Sequence, residues 1–299
     1  MKESGEEQTK STELNNGDKT KKTVKKSVLW GCIAAACLVV VFVCGWSLGK
    51  AQGEQQRQEE LAALAAEVAA MPESTPTPQP TATPEPTVVQ KGGEQAEPTP
   101  LPRRQNERNV GFDRLLEENP DVIGWLEVGG TTIDYPLLSS LINDYYLTHD
   151  FYREESAYGA IYIDIRNNAD LNDPFTVIYG HNMKDGSMFA DLHKFEEEDF
   201  FYEHGQIRIY TPEGQLNYEV FAAFKRDDAH LLGNQDFKKA AVKRKHLDEI
   251  RALEGTEDAY IDMDDVTVDD TIVALSTCVT GEGENRYVVY AKFIPPEEG

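Results

Sequence analysis

Cysteine is scarce in this 299-residue chain: there are four, and three of them, Cys32, Cys37 and Cys44, fall inside one apolar run from Val28 to Leu48 that carries no charged residue. Only Cys278 lies elsewhere, so no disulfide framework holds the rest of the chain together. Basic charge is scarce as well. From residue 106 onward 17 Lys plus Arg stand against 40 Asp plus Glu, a net of −23 out of −24 for the whole chain. That balance excludes a basic phosphate-binding face, and with it nucleic acid as a partner. Metal-ligand spacing is missing: the stretch holding Asp262, Asp264, Asp265, Asp269 and Asp270 lacks the Gly and Glu that complete a calcium loop, and reads as a solvated acidic turn. No metal or cofactor is expected.

The apolar run is long enough, at ~1.5 Å per residue, to cross the ~30 Å hydrocarbon core of a bilayer. It exceeds the apolar region of a cleaved signal peptide and no clear cleavage site follows it. Residues 27–49 are therefore expected to form a single transmembrane anchor behind a polar tail, residues 1–26. Lys19, Lys21, Lys22, Lys25 and Lys26 crowd the N-terminal flank, which puts the tail in the cytoplasm and everything beyond residue 50 outside the cell. Residues 50–71 are rich in helix formers, with Leu61, Leu64, Ala65 and Val68 on one face, and are expected to prolong the membrane helix outward. Residues 72–108 read as a Pro-rich linker, whose stretch from Pro72 to Pro102, with TPTPQPTATPEPT and EPTPLP, is a polyproline spacer reaching roughly 90 Å.

The folded domain is expected over 109–296. It opens with VGFDRLLEENP, a short helix stopped by Pro120 with Phe112, Leu115 and Leu116 on the buried side. Eight strands follow by alternation: 123–128, 131–138, 159–164, 175–180, 206–211, 215–225, 270–277 and 286–294. Gly129-Gly130 marks a two-residue hairpin between the first two. Residues 234–253, between the sixth and seventh strands, read as an amphipathic helix with Phe237, Ala241, Ile250 and Leu253 on one face. The fold class is mainly β (α+β), a closed barrel or a sandwich.

Cys278 stands at the end of the apolar strand DTIVALST, at the start of the loop VTGEGEN. A thiol acts as its thiolate, and so needs a base or ion-pair partner. Of six histidines, His193 and His246 lie on amphipathic helical stretches, His204 and His230 precede turns, and His149 closes a short helix. Each of these reads as a surface or capping residue. His181 differs, because it follows the strand FTVIYG as Cys278 follows its own. Arg286 begins the next strand, where an antiparallel return brings a guanidinium beside the thiol to bind a carbonyl or oxyanion. A phosphatase is excluded by spacing, since that chemistry uses Cys-x5-Arg and this segment is Cys-x7-Arg with Glu282 and Glu284 inside it.

The segments IYGHNMKDGSMF (178–189) and ALSTC (274–278) followed by Arg286 resemble the catalytic motifs of sortases. NPDVIGWLEV, TTIDYPLL, NDYYLTHDF and YGAIYID, with the long helix between strands six and seven, resemble the class B branch. The resemblance covers about residues 110–294. It implies an eight-stranded sortase-type β-barrel with an N-terminal helix, acting as a transpeptidase. Cys278 would be the nucleophile toward a C-terminal sorting signal, His181 the acid/base, and Arg286 the group that orients substrate and stabilises the oxyanion. Ser276, Thr277, Asn143 and Leu147 would line the sorting-signal groove. The implied partners are surface proteins bearing the signal, an amine acceptor from a peptidoglycan precursor or a pilin, and the membrane. Two alternatives stay open: a cell-wall cysteine peptidase that hydrolyses without ligating, and a non-enzymatic stalked surface-binding module.

Overall fold

Among the described residues apolar alternation resolves into nine strands: β1 (Val122–Val128), β2 (Asp134–Leu138), β3 (Ile161–Ile163), β4 (Phe175–Tyr179), β5 (Gln206–Thr211), β6 (Gly214–Asp227), β7 (Ala259–Ile261), β8 (Ile272–Val279) and β9 (Glu282–Ile294). Helices α1 (Phe112–Glu118), α2 (Glu198–Glu203) and α3 (Ala240–Arg251) join them, with 3-10 segments at Tyr145–Leu147 and Ala190–Glu196. The computed structural model describes residues 100–279 and 282–297 and parts of 49–67. The expected anchor up to residue 48 and most of the Pro-rich spacer lie outside the described residues. Among the described residues no helix is long and apolar enough to cross a membrane. Residues up to Glu59 form a unit separate from Glu60–Gly299, and the sheet, its helices and the site all belong to the second unit.

The sheet runs β5-β1-β2-β3-β4-β8-β9-β6-β7, and β5 also pairs with β6. That last pairing closes eight strands into a barrel, the eight expected ones. The ninth, β7, is three residues long and has no counterpart among the expected strands; it adds to β6 through Ala222 opposite Ile261. One long strand serves three partners here. The first half of β6 pairs with β5 and the second half with β7, while β9 runs along most of its length past a register shift between Val220 and Ala222.

Several boundaries differ from expectation for physical reasons. The β1–β2 connection is longer than two residues, because the Val128 N–H donates to Ile133 O at 3.0 Å rather than to Thr131 O, and the ladder resumes only at Glu127 opposite Asp134. Leu116 is exposed: Leu115 is buried and Phe112 packs partly buried beside it on the short α1, while the residue after Leu115 is rotated by ~100°. Helix α3 is shorter than 234–253 and Ala241 is exposed, while Phe237 packs from the turn before it. His246 is buried, not superficial. Cys278 lies within β8, and Glu282–Asn285 are already strand rather than loop.

Apolar side chains form three layers. Inside the barrel, Leu126, Ile178, Leu275 and Val289 meet Leu192 and Phe195 from the second 3-10 segment. On the outer face of β4, β8, β9 and β6, the residues Phe175, Val177, Ala274, Val288 and Tyr290 pack under Leu247 and Ile250 of α3. Burying each of these α3 side chains contributes about 1.5–3 kcal/mol. A third cluster joins Leu115, Trp125, Tyr146 and Phe151 to Leu61 and Leu64. Residues before α1 are also tied down: Leu101 N donates to Asn172 Oδ1, Arg103 to Thr211 Oγ1, and Arg104 exchanges backbone bonds with Gln215.

Two tests come from this packing. Gly180 leaves β4 against the barrel interior, where an added Cβ would lie 2.5 Å from Ile161 Cδ1 and 2.7 Å from Phe189 Cγ. Gly180→Ala is expected to cost about 1–3 kcal/mol, read as a lowered urea midpoint; an unchanged midpoint would disprove the fit. His246 sits among Phe175, Phe237 and Tyr290, with Nε2 buried and unpartnered. Burial, assisted by the Arg226 charge, pushes its pKa down to about 4. The unfolded chain gains this proton near the usual ~6.5 and the folded one only near 4, so stability should fall as pH drops through that window, by roughly 3 kcal/mol. His246→Phe should flatten that part of the curve of unfolding free energy against pH; a curve that keeps the same slope would count against the assignment.

Candidate active site

Parity along the strands builds the site. In β8 the residues Val273 and Leu275 enter the barrel, while Ile272 and Ala274 join the outer cluster. Continuing the alternation, Ser276 and Cys278 face outward. In β4 the outward set is Phe175, Val177 and Tyr179, which carries His181 to the same face. Strands β4 and β8 are parallel, with Tyr179 opposite Ser276, so both chains leave the sheet at one rim. The antiparallel β9 starts there, with Arg286 directly opposite Cys278, and β6 ends there, with Arg226 opposite Arg286. Directly opposed residues project to the same face with Cβ atoms ~4.5–5.5 Å apart.

A cavity of about 230 Å³ opens on this rim, lined by His181, Cys278, Arg286, Ser276 and Thr277. Its walls come from Asp144 and Leu147 on one side and Arg226 to Leu231 on the other. The volume suits a short extended segment rather than a folded surface. Cys278 is half-buried here and is not part of any apolar cluster, which disposes of a passive core thiol.

The 3-10 turn Tyr145–Leu147 reaches the histidine. Leu147 O accepts from His181 Nε2 at 2.7 Å. A carbonyl cannot donate, so the hydrogen is on Nε2. The turn is anchored from below: buried Asn119 donates to Tyr146 Oη at 3.0 Å and to Phe151 O at 2.8 Å, and Tyr146 donates to Asp121 Oδ2 at 2.7 Å. Burial pushes the Tyr146 phenol up to about 12, so it stays a donor. Gly159, at φ +58°, lies against the Tyr146 carbonyl, and a Cβ there would come within 3.1 Å of the His181 ring.

The opposite wall is held by a carboxylate. Asp164 is buried and accepts from Arg166 Nε at 3.0 Å and from Tyr179 Oη at 3.1 Å, and His230 Nε2 lies 3.1 Å away. Burial works to raise the Asp164 pKa, but the Arg166 bonds and charge outweigh it and hold the acid below the usual range.

Of the expected groove residues, Leu147, Ser276 and Thr277 line the cavity and Asn143 does not. Asn143 donates to Asp144 Oδ2 at 2.6 Å on the exposed surface, and Asp144 occupies the lining. The Thr277 hydroxyl is committed to Gly180 O at 2.9 Å, tying the two strand ends together. Sequence reasoning missed Arg226, which the alternation beyond Phe224 would have found, and His230, for which no local signal exists. It also misplaced His193, expected at the surface: His193 Nε2 lies 3.1 Å from Cys278 O.

Comparison with known proteins agrees with this geometry. The sortase domain family model matches residues 126–294. The protein named sortase B of Listeria monocytogenes is 37% identical over 184 residues, 60% of this chain and 72% of that one. Its namesake in Staphylococcus aureus is 32% identical over 197 residues, 65% and 79% of the two chains. The crystal structure of Clostridium perfringens sortase B superposes with a TM-score of 0.55 at 32% identity, covering 61% of this chain and 99% of that one. The chain belongs to the sortase family of cysteine transpeptidases, in its class B.

Proposed function

We propose that Cys278, His181 and Arg286 carry out the transpeptidation, and that the meeting of their three side chains on one sheet face at one cavity is what supports the assignment. The Cys278 sulfur attacks the carbonyl carbon of the scissile peptide bond in a C-terminal sorting signal. The resulting oxyanion falls to the Arg286 guanidinium, a donor that does not deprotonate. His181 takes the thiol proton of Cys278 and passes it to the departing amine as the C–N bond breaks, leaving a thioester on Cys278, and then takes a proton from the incoming amine as that nitrogen attacks and the thiolate leaves. With Nε2 on Leu147 O, Nδ1 is the ring nitrogen left for this transfer.

A solved complex of Staphylococcus aureus sortase B is described as one with substrate, 34% identical and with a TM-score of 0.54, and supports a sorting-motif substrate for this chain too. Leu147, Ser276 and the main chain of Thr277 would contact it. The acceptor is an amine from a peptidoglycan precursor or a pilin, and Asp144, Asp227 and Asp228 on the cavity wall favour an approaching ammonium over an anion. The reaction takes place outside the cell, on a domain tethered by a single membrane span with its N-terminus in the cytoplasm; the uncharged run Val28–Leu48 and the lysines before it support this topology.

With a fluorogenic sorting-signal peptide, Cys278→Ala should lose at least ~10³-fold in rate, and Arg286→Met roughly 10²–10³-fold in kcat. Equal signals from wild type and Cys278→Ala would sink the assignment. Adding an amine should divert product from hydrolysis to ligation; product unchanged by the amine would identify a peptidase. For the topology, protease added to intact cells should digest the domain while leaving the N-terminal tail protected, and protection of the domain would refute the proposed orientation.

A further inference from the structure

The nucleophile's own carbonyl is gripped from beneath the site. Cys278 O accepts from Asn182 Nδ2 at 2.9 Å and lies 3.1 Å from His193 Nε2, and those two nitrogens are 2.9 Å apart. The other ring nitrogen, His193 Nδ1, lies 2.6 Å from Glu196 Oε1. The carbonyl in question sits where the ladder fails, since the β8–β9 register shifts between Cys278 and Val279. Regular pairing therefore does not carry past the residue whose geometry matters most.

We infer that Asn182 and His193, with Glu196 behind them, are positioning residues that fix the Cys278 peptide and thereby aim its sulfur at the bond to be broken. The inference rests on the proposed role of Cys278. Cys278 O is held in either charge state of the ring. As a cation, His193 donates to Glu196 and to Cys278 O directly. As a neutral imidazole with Nδ1–H on Glu196, it accepts the second hydrogen of the Asn182 amide, whose first remains on Cys278 O. In both states the amide and ring have little freedom to turn. The ring is further held against Tyr287, at 5.1 Å between centroids, and His193 rides on the 3-10 segment whose Leu192 and Phe195 are buried in the barrel. Asn182 follows His181 directly, so one short segment supplies the acid/base and steadies the nucleophile.

The test uses the full chain with three substitutions. His193→Phe keeps the ring against Tyr287 and removes both polar nitrogens; Asn182→Leu keeps the shape and removes the amide. His193→Gln retains a donor for Cys278 O and an acceptor for Asn182. The Phe and Leu variants are expected to lose roughly 10- to 100-fold in kcat on the sorting-signal peptide, with KM within about 2-fold, as displacement of a reacting group predicts. The Gln variant should recover to within about 3-fold of wild type. Alkylation of Cys278 by iodoacetamide should slow in the same order, and this readout needs no peptide. If wild type fails to cleave the peptide, the proposed function is at fault, while the alkylation series still reads the positioning. The inference is overturned if both the Phe and Leu variants alkylate and turn over like wild type, or if Gln is as slow as Phe at an unchanged melting temperature. Should His193→Phe fail to fold, Asn182→Leu carries the test.

Discussion

Five consecutive residue pairs, Phe175 to Tyr179 against Ile272 to Ser276, lock β4 beside β8 in parallel. Parallel neighbours cannot be joined by a tight turn, and here the crossover contains β5, β6, β7 and two helices. What that long excursion achieves is a coincidence of two strand ends. His181 and Cys278 are distant in sequence, yet each continues the outward-facing row of its own strand. The hydrogen bond from Thr277 to Gly180 O prevents the two ends from separating. Everything else at the site, from Arg286 opposite Cys278 to the walls of the cavity, is placed relative to this pair.

The two walls are held by unlike means. On one side a chain of hydrogen bonds, with Tyr146 held between Asn119 and the Asp121 carboxylate, sets the turn whose Leu147 carbonyl orients the imidazole. On the other a buried carboxylate, Asp164, gathers a guanidinium, a phenol and an imidazole. Buried polar groups of this kind are costly unless fully partnered. Their partners come from separate stretches of chain, so they tie those stretches to one arrangement as well as stabilising them.

Much of this was legible in the sequence, and the reason is periodicity. Alternation located the eight barrel strands, and simple continuation of it put His181 and Cys278 at strand ends. Being the one cysteine beyond the apolar run singled out Cys278, the proposed nucleophile. Where legibility failed, the determining contact was distant. His193 and His246 sit on helical stretches that look amphipathic, and nothing local distinguishes a ring that meets solvent from one that meets the Cys278 carbonyl or the rings of Phe175 and Tyr290. β7 is three residues long and gains its pairing from β6 alone. The two-residue hairpin failed because the Val128 N–H donates to Ile133 O, two residues beyond the partner such a turn requires.

Closure of the barrel leaves little open edge. Among the described residues β7 is the terminal strand of the sheet, and its three residues are half-buried. An open sheet of nine strands would present two long rows of unpaired amides and carbonyls, each a template for another chain. A domain that must handle extended peptide segments next to its own sheet therefore has almost no place where such a segment could add as an extra strand. The proposed substrate would instead enter at the rim cavity, since each of the eight barrel strands already has a neighbour on both sides.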